Sequence, residues 1–357
     1  MKIKWVPCIK VERREEQSLL VRIVFRILAV ILSFLFSAVI FAVSGIDPWY
    51  AYMLIFTRSF TYTGLTEIAT KLIPILICTV GLTVAFKTGI WNIGAEGQLL
   101  LGAVGATWIA LFVNIYEPLR LPVALMVGMV FGALWALIPI LLKIKLNVNE
   151  IVSTLMMNYI ASGIVDYLVY GPWRGAREWG FPYTDKFPAT ACFPIIPGTR
   201  IHWPTLLLGI LSSITVYILL SKTTLGFEMR VCSQGKKVAD YLGVPYSSRL
   251  IIAMVISGGL AGLAGVGEVC GVHRRLRYAS SISSGYGYTA IIGAWLGGLN
   301  PIGSIPSTFL LAFLLTGRDI IQVSLGLPFA TSNIFNGSIL LSILIVEALG
   351  RYRVKVG

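Results

Sequence analysis

The chain has 357 residues, of which 56% are hydrophobic and only 13% charged. Soluble domains carry roughly a quarter charged residues, so a soluble protein with a large core is excluded and a multi-pass membrane protein is expected. The net charge of +13 does not point to nucleic acid as a partner, because the basic residues gather in polar segments between apolar runs, as membrane orientation requires.

The chain opens on "MKIKWVPCIKVERREEQ". This is charged and lacks a short apolar stretch followed by a small-residue cleavage site, so residues 1–26 read as a retained cytoplasmic tail. A helix needs about 20 apolar residues to cross the hydrocarbon. Ten segments qualify in chain order: 27–44, 67–86, 96–114, 121–142, 150–171, 203–220, 250–270, 286–299, 303–322 and 334–350. The eighth is short and glycine-rich and reads as a broken or re-entrant segment, which is tolerated only where protein or a cavity surrounds it. The expected fold is an all-α polytopic membrane protein of about ten transmembrane helices. It has one membrane domain, 27–350, a cytoplasmic loop at 221–249, and a short cytoplasmic tail, 351–357. Placing both termini inside puts 18 of the 29 basic residues on the cytoplasmic side, which sets the orientation. One segment, "HRRLR" at 273–277, then falls outside, against that trend.

Four stretches carry polar residues into apolar surroundings. In "KTGIWNIGAEGQLL" (87–100), Asn92 is placed to cap the helix beginning near Glu96, and Gln98 follows two residues later. Ionisable residues inside a membrane are rare and mark functional candidates, although ties between helices explain them equally well. In "NVNEIVSTLMMNYIASG" (147–163), Asn149 is placed to cap a helix whose first turn holds Glu150. Ser153, Thr154 and Asn158 then form a polar stripe at helical spacing. The third stretch, "KTTLGFEMRVCSQGKKVADYLGVPYSSRL" (222–250), is polar. Its "KKVADYLGV" reads as a short helix stopped at Gly243. In the fourth, "ISGGLAGLAGVGEVCGVHRR" (256–275), Gly258 and Gly262 form a close-packing face and Glu268 lies near the helix end. "SSGYGYTAIIGAWLGGLNPIGS" follows, with Tyr286 and Tyr288 placed to stack on a planar ring or to mark the interface.

The five cysteines form no C-x-x-C pair and His202 and His273 stand alone, so neither a metal site nor a disulfide framework is expected. The sequence contains no P-loop, nucleophile elbow or H-E-x-x-H. An enzyme is therefore not expected, and no cofactor is assigned to the chain.

Together the four stretches resemble the permease subunit of bacterial ABC nucleoside importers, in the branch shared with simple-sugar (ribose-type) permeases. The likeness runs from about 65 to 350, and "FKTGIWNIGAEGQLLLGA" is its most specific part. The resemblance implies a complex in the bacterial cytoplasmic (inner) membrane. Its other parts would be separate ABC ATP-binding subunits that hold the ATP, a second permease chain (paralogue or copy), and an extracytoplasmic substrate-binding protein. It also implies that Asn92, Glu96, Gln98, Glu150, Asn158, Glu268 and Tyr286 lie along the substrate pathway or hold its shape. It places a coupling segment at about 231–244. Within and beside it, Gly226, Arg230, Lys237, Ala239, Asp240 and Gly243 are the candidates for contact with the ATPase. Lys237 departs from the family pattern, which often has an acidic residue there. Two alternatives stay open: the same architecture carrying a simple sugar or a flavin-like vitamin, or a stand-alone secondary transporter.

Overall fold

A computed structural model describes residues 9–13, 19–176, 180–326 and 352–356, together with residues 334, 337, 341, 342 and 345 singly. Most of the expected span 334–350, and residues 1–8 and 14–18 of the N-terminal tail, therefore lie outside the described residues. The chain forms two compact units, Tyr62–Phe313 and the terminal segments Met1–Thr61 with Leu314–Gly357.

In the terminal unit, α1 (Leu19–Val43) meets α2 (Pro48–Ser59) at a bend of 118°. The sequence between them explains the bend. Gly45 adopts φ +76°, Asp47 caps α2 by accepting from the Trp49 amide, and Pro48 takes the first helical position. The Tyr52 hydroxyl then donates to the Phe34 carbonyl and pins the two arms. The spacing of apolar residues gave no expectation of α2, because it is only 12 residues long. A two-stranded antiparallel ribbon pairs Ile9–Arg13 with Tyr352–Val356. These strands are the one departure from all-helical structure among the described residues.

The larger unit begins with α3 (Tyr62–Lys87) and α4 (Ala95–Phe112), followed by α5 (Glu117–Leu146) and α6 (Glu150–Tyr170). The α5–α6 turn is tight. Asn147 closes α5 in the left-handed region at φ 55°, and Asn149 caps α6 by accepting from the Ile151 amide, as its position predicts. After the 171–202 connection come α7 (Trp203–Lys222), α8 (Thr224–Cys232) and α9 (Lys236–Tyr241). Next is α10 (Tyr246–Gly267), which runs on as a π-helical turn to His273. Short α11 (Ala279–Ile282), α12 (Tyr286–Leu296) and α13 (Ser304–Leu325) follow. Among the described residues seven helices are long and apolar enough to cross a membrane, or eight if the bent α1–α2 pair counts as one. Of the ten expected segments, 334–350 lies mostly outside the described residues, and 286–299, which reads as broken or re-entrant, is too short to cross. Its helix has 11 residues, about 16 Å of rise, which is half of the roughly 30 Å hydrocarbon core. Gly285 at φ +83° starts it and Gly298 at φ +68° follows its end.

α3, α4 and α10 form the centre, with α5 and α12 laid against them. Small residues make this possible. A Cβ at Gly102 of α4 would fall on the backbone of Gly262 in α10, and one at Gly132 of α5 on the backbone of Gly258 and Gly262. The expected Gly258/Gly262 face is thus the contact between three helices, with backbones too close for any side chain. On another side of the centre, α12 lies along α3. The Thr79 hydroxyl donates to the Ala290 carbonyl at 3.2 Å, and a Cβ on Gly293 would meet Thr79 Oγ1 at 2.8 Å.

Candidate functional site

The segment between α3 and α4 turns back into the protein. α3 ends at Lys87, and the chain turns at Gly89, whose φ of +86° only glycine adopts cheaply. Residues 90–94 then run without helix to the start of α4. A turn of bare peptide at this depth exposes N–H and C=O groups to apolar surroundings, and each needs a partner.

Side chains from four elements supply them. Asn92, fully buried, accepts from the Gly94 amide at 2.9 Å and from Gln98 Nε2 at 3.1 Å. It donates to Gln98 Oε1 at 3.1 Å and to Ser257 Oγ of α10 at 3.0 Å. From α6, Thr154 Oγ1 accepts from the Ile93 amide at 3.2 Å. Asn158 accepts from the Gly97 amide at 2.8 Å and donates to the Ile93 carbonyl at 2.9 Å and the Tyr288 hydroxyl at 3.2 Å. Glu96 accepts from the Gly287 amide of α12 at 2.8 Å. Gly287 must be glycine, because a Cβ there would overlap the backbone of Glu96.

The N-termini of α4 and α12 therefore meet at one carboxylate. Each helix start presents unpaired amides and a partial positive charge, and the Glu96 side chain answers both for α12. Asn92 does not cap α4 as expected. Gly94 occupies that position without a side-chain bond, and Asn92 instead braces the turn that leads into it.

The sequence-derived pathway candidates separate accordingly. Asn92, Glu96, Gln98 and Asn158 converge in this one knot. Tyr286 is the first residue of α12, beside it. Glu150 sits at the start of α6 and pairs with Lys143 across the α5–α6 turn, away from the knot. Glu268 is buried in the π-helical turn with its Oε2 3.6 Å from His273 Nε2. Three partners lacked any linear signal: Ser257, Gly287 and the Ile93 backbone. The side chain facing outward from the knot is Tyr288, 38% exposed.

The 222–249 connection folds as α8 and α9 with Gly235 (φ +108°) between them. Gly226 lies so close to Leu219 and Leu220 that no Cβ fits, and the Arg230 guanidinium donates to the Leu220 carbonyl. Glu228 pairs with Arg249, which anchors α8 to the first turn of α10. α9 stops where the sequence predicts. The Gly243 amide donates to the Asp240 carbonyl at 3.2 Å, the Val244 amide to the Ala239 carbonyl at 2.9 Å, and Gly243 has φ +69°. This is the six-to-one closure favoured by a C-terminal glycine. Ala239 is buried and faces inward. Lys237 and Asp240 are exposed, and so are Val238, Leu242 and Tyr241, the last at 90%.

Apolar helices long enough to span, packed through glycine faces, a half-length helix seated on a buried polar turn, and a separate polar helix pair outside the bundle define a multi-pass membrane protein. Comparison with known proteins gives the family. The chain belongs to the branched-chain amino acid transport system / permease component family, whose model matches residues 64–345. It is 31% identical to the glucose ABC transporter permease protein TsgB13 of Haloferax volcanii over 92% of this chain and 89% of that one. It is 28% identical to the guanosine permease NupP of Bacillus subtilis, covering 85% and 87%, and 29% identical to the nucleoside permease NupB of Lactococcus lactis, covering 83% and 84%. The chain is thus an ABC-type permease component of the nucleoside and simple-sugar branch, a transport protein rather than an enzyme.

Proposed function

We propose that this chain forms the translocation pathway of an ATP-driven importer for nucleosides in a bacterial cytoplasmic membrane. It works beside a second permease chain, with separate subunits that bind ATP and an external protein that delivers the solute. The observation that carries the coupling is α9. It is a short helix outside the bundle with one buried residue, Ala239, and three exposed apolar ones, Val238, Tyr241 and Leu242. Exposed apolar side chains on a helix that ends in a firm stop fit a groove on a partner. The pathway runs past the outward side of the knot, where the Tyr288 hydroxyl and ring offer a hydrogen bond and a stacking face to a neutral planar solute. The 31% identity to a glucose permease favours a second reading, the same machine carrying a sugar.

The test is purification of the tagged chain from its native membrane, followed by reconstitution of whatever accompanies it. A P-loop ATPase among the companions, and ATP-dependent uptake of labelled guanosine that excess glucose does not inhibit, are the expected results. Inhibition by glucose with no guanosine uptake selects the sugar reading, and recovery of the chain alone removes the importer reading. Gly243→Pro is expected to abolish uptake while the chain still inserts. Glu96→Gln keeps an acceptor for the Gly287 amide and is expected to retain uptake. Loss of uptake in a normally folded Glu96→Gln protein would make the charge itself functional.

A further inference from the structure

The segment 89–98 touches the end of α8 and both ends of α12. At its start, Gly89 lies against Ser233, the residue that closes α8. A Cβ on Gly89 would sit 3.0 Å from Ser233 Cα and 3.5 Å from Ser233 Cβ. Ile90, buried, follows, and then Trp91. The Trp91 ring stacks on Trp295 with centroids 5.4 Å apart and lies 5.8 Å from Phe86, while Phe86 and Trp295 are 5.5 Å apart. Trp295 is in the last turn of α12. At the far end of the segment, Glu96 holds the first turn of α12 through Gly287.

One ten-residue segment therefore grips α12 at both ends, by ring stacking at Trp295 and by a hydrogen bond at Gly287. The same segment is in backbone contact with the end of α8. α12 is the right part to be moved, since it has 11 residues, is bounded by glycines in left-handed conformations, and does not span the membrane. The segment itself is stiff, because Asn92, Thr154 and Asn158 tie its backbone at Ile93, Gly94 and Gly97.

We propose that residues 89–98 act as a strut that carries displacement of the α8–α9 segment to α12, with the Ser233–Gly89 contact as its point of entry and Trp91 as its grip on the C-terminal end of α12. This rests on the importer reading above and adds the route by which work done on α8–α9 reaches the pathway. In this arrangement the Ser233–Gly89 contact persists through the transport cycle, whereas α12 shifts with the strut. Trp91 is a positioning residue, which acts through Trp295 and not on the solute.

Two experiments on the reconstituted complex test the strut, each reading solute moved per ATP hydrolysed. In the first, Gly89→Cys and Ser233→Cys are combined in a Cys232→Ser background. The 3.5 Å separation at Cβ lies at the short edge of the disulfide range and a cysteine at the left-handed φ of Gly89 is strained, so the reduced double variant is the reference and intact mass confirms that the bond forms. Oxidation with diamide is expected to leave uptake within twofold of the reduced protein, since a joined contact still transmits. A tenfold fall on oxidation that dithiothreitol reverses would mean that the contact opens in each cycle, and the strut would be overturned. In the second, Trp91→Ala is expected to lower uptake per ATP at least tenfold while hydrolysis continues, and Trp91→Phe, which keeps a ring on Trp295, is expected to restore most of it. Wild-type uptake per ATP in Trp91→Ala would also overturn the strut. If no ATPase accompanies the chain at all, the importer reading fails first, and that result is distinct from both.

Discussion

α3 and α4 differ from α5 and α6 in what surrounds them, although all four are long and apolar enough to cross a bilayer. In α3 and α4, 89% and 83% of the most apolar stretch is buried inside the protein, against 28% and 33% in α5 and α6. Apolarity does not separate the pairs: α5 is the most apolar of the four, but α3 is more apolar than α6 and α4 equals it. The buried pair holds Thr79, Thr83, Gln98 and Thr107, and glycines at 81, 97, 102 and 105. α5 turns leucines, methionines and valines outward. In a membrane the lipid tails are as apolar as leucine, so apolar surface gains little from burial. The interior is chosen instead by close backbone approach and by polar groups that must find one another. Burial in this chain therefore follows small and polar residues and not hydrophobicity.

The comparison is broken most severely at the glycine faces. Gly102→Leu would drive a side chain into the backbone of Gly262. Overpacking of this kind costs about 3 kcal/mol or more, and the expected outcome is loss of monodisperse protein on size exclusion after extraction in mild detergent. A Gly102→Leu protein that extracts and unfolds like the wild type would mean that α4 and α10 are not held together there. The polar side of the interior comes next. Asn158→Leu keeps the volume of the side chain but strips partners from the Gly97 amide and the Ile93 carbonyl. An unpaired buried group costs about 1–3 kcal/mol, so a drop of several degrees in the thermal unfolding midpoint is expected. Asn158→Asp retains the acceptor for Gly97 and is expected to fall between the two.

Much of this was legible in the sequence, and what was not has a physical cause. Apolar runs near 20 residues located the long helices because bilayer thickness imposes a length, and Asn149 and Gly243 announced their caps because capping is local. Polar residues in "NIGAEGQ" announced a buried site for the same reason, since nothing else justifies them in hydrocarbon. Their partners could not be read. Glu96 meets Gly287 across 191 residues and Asn92 meets Ser257 across 165, and no linear period links them. The shortness and glycines of 286–299 announced a broken segment, and α12 has 11 residues, but hydropathy reports how apolar a segment is and not which helix it lies against.

The smallest effect is expected on the lipid-facing side, and it is the sharpest test of the contrast. Leu99 in α4 is fully buried, and Leu134 in α5 is 54% exposed. Leu99→Ala opens a cavity among fixed neighbours and should cost about 2–5 kcal/mol. At Leu134 a flexible acyl chain fills the space that the methyl groups leave, so Leu134→Ala should move the unfolding midpoint by no more than the error of the measurement. The pair must be compared in lipid nanodiscs, where tails and not detergent surround α5. A loss at Leu134 approaching that at Leu99 would show that protein covers this face of α5. The same measurement on the isolated chain and on the full complex then separates the causes. A loss confined to the complex would place the second permease chain against α5, and a loss in both would show that burial within the chain itself extends further round α5 than its exposed leucines indicate.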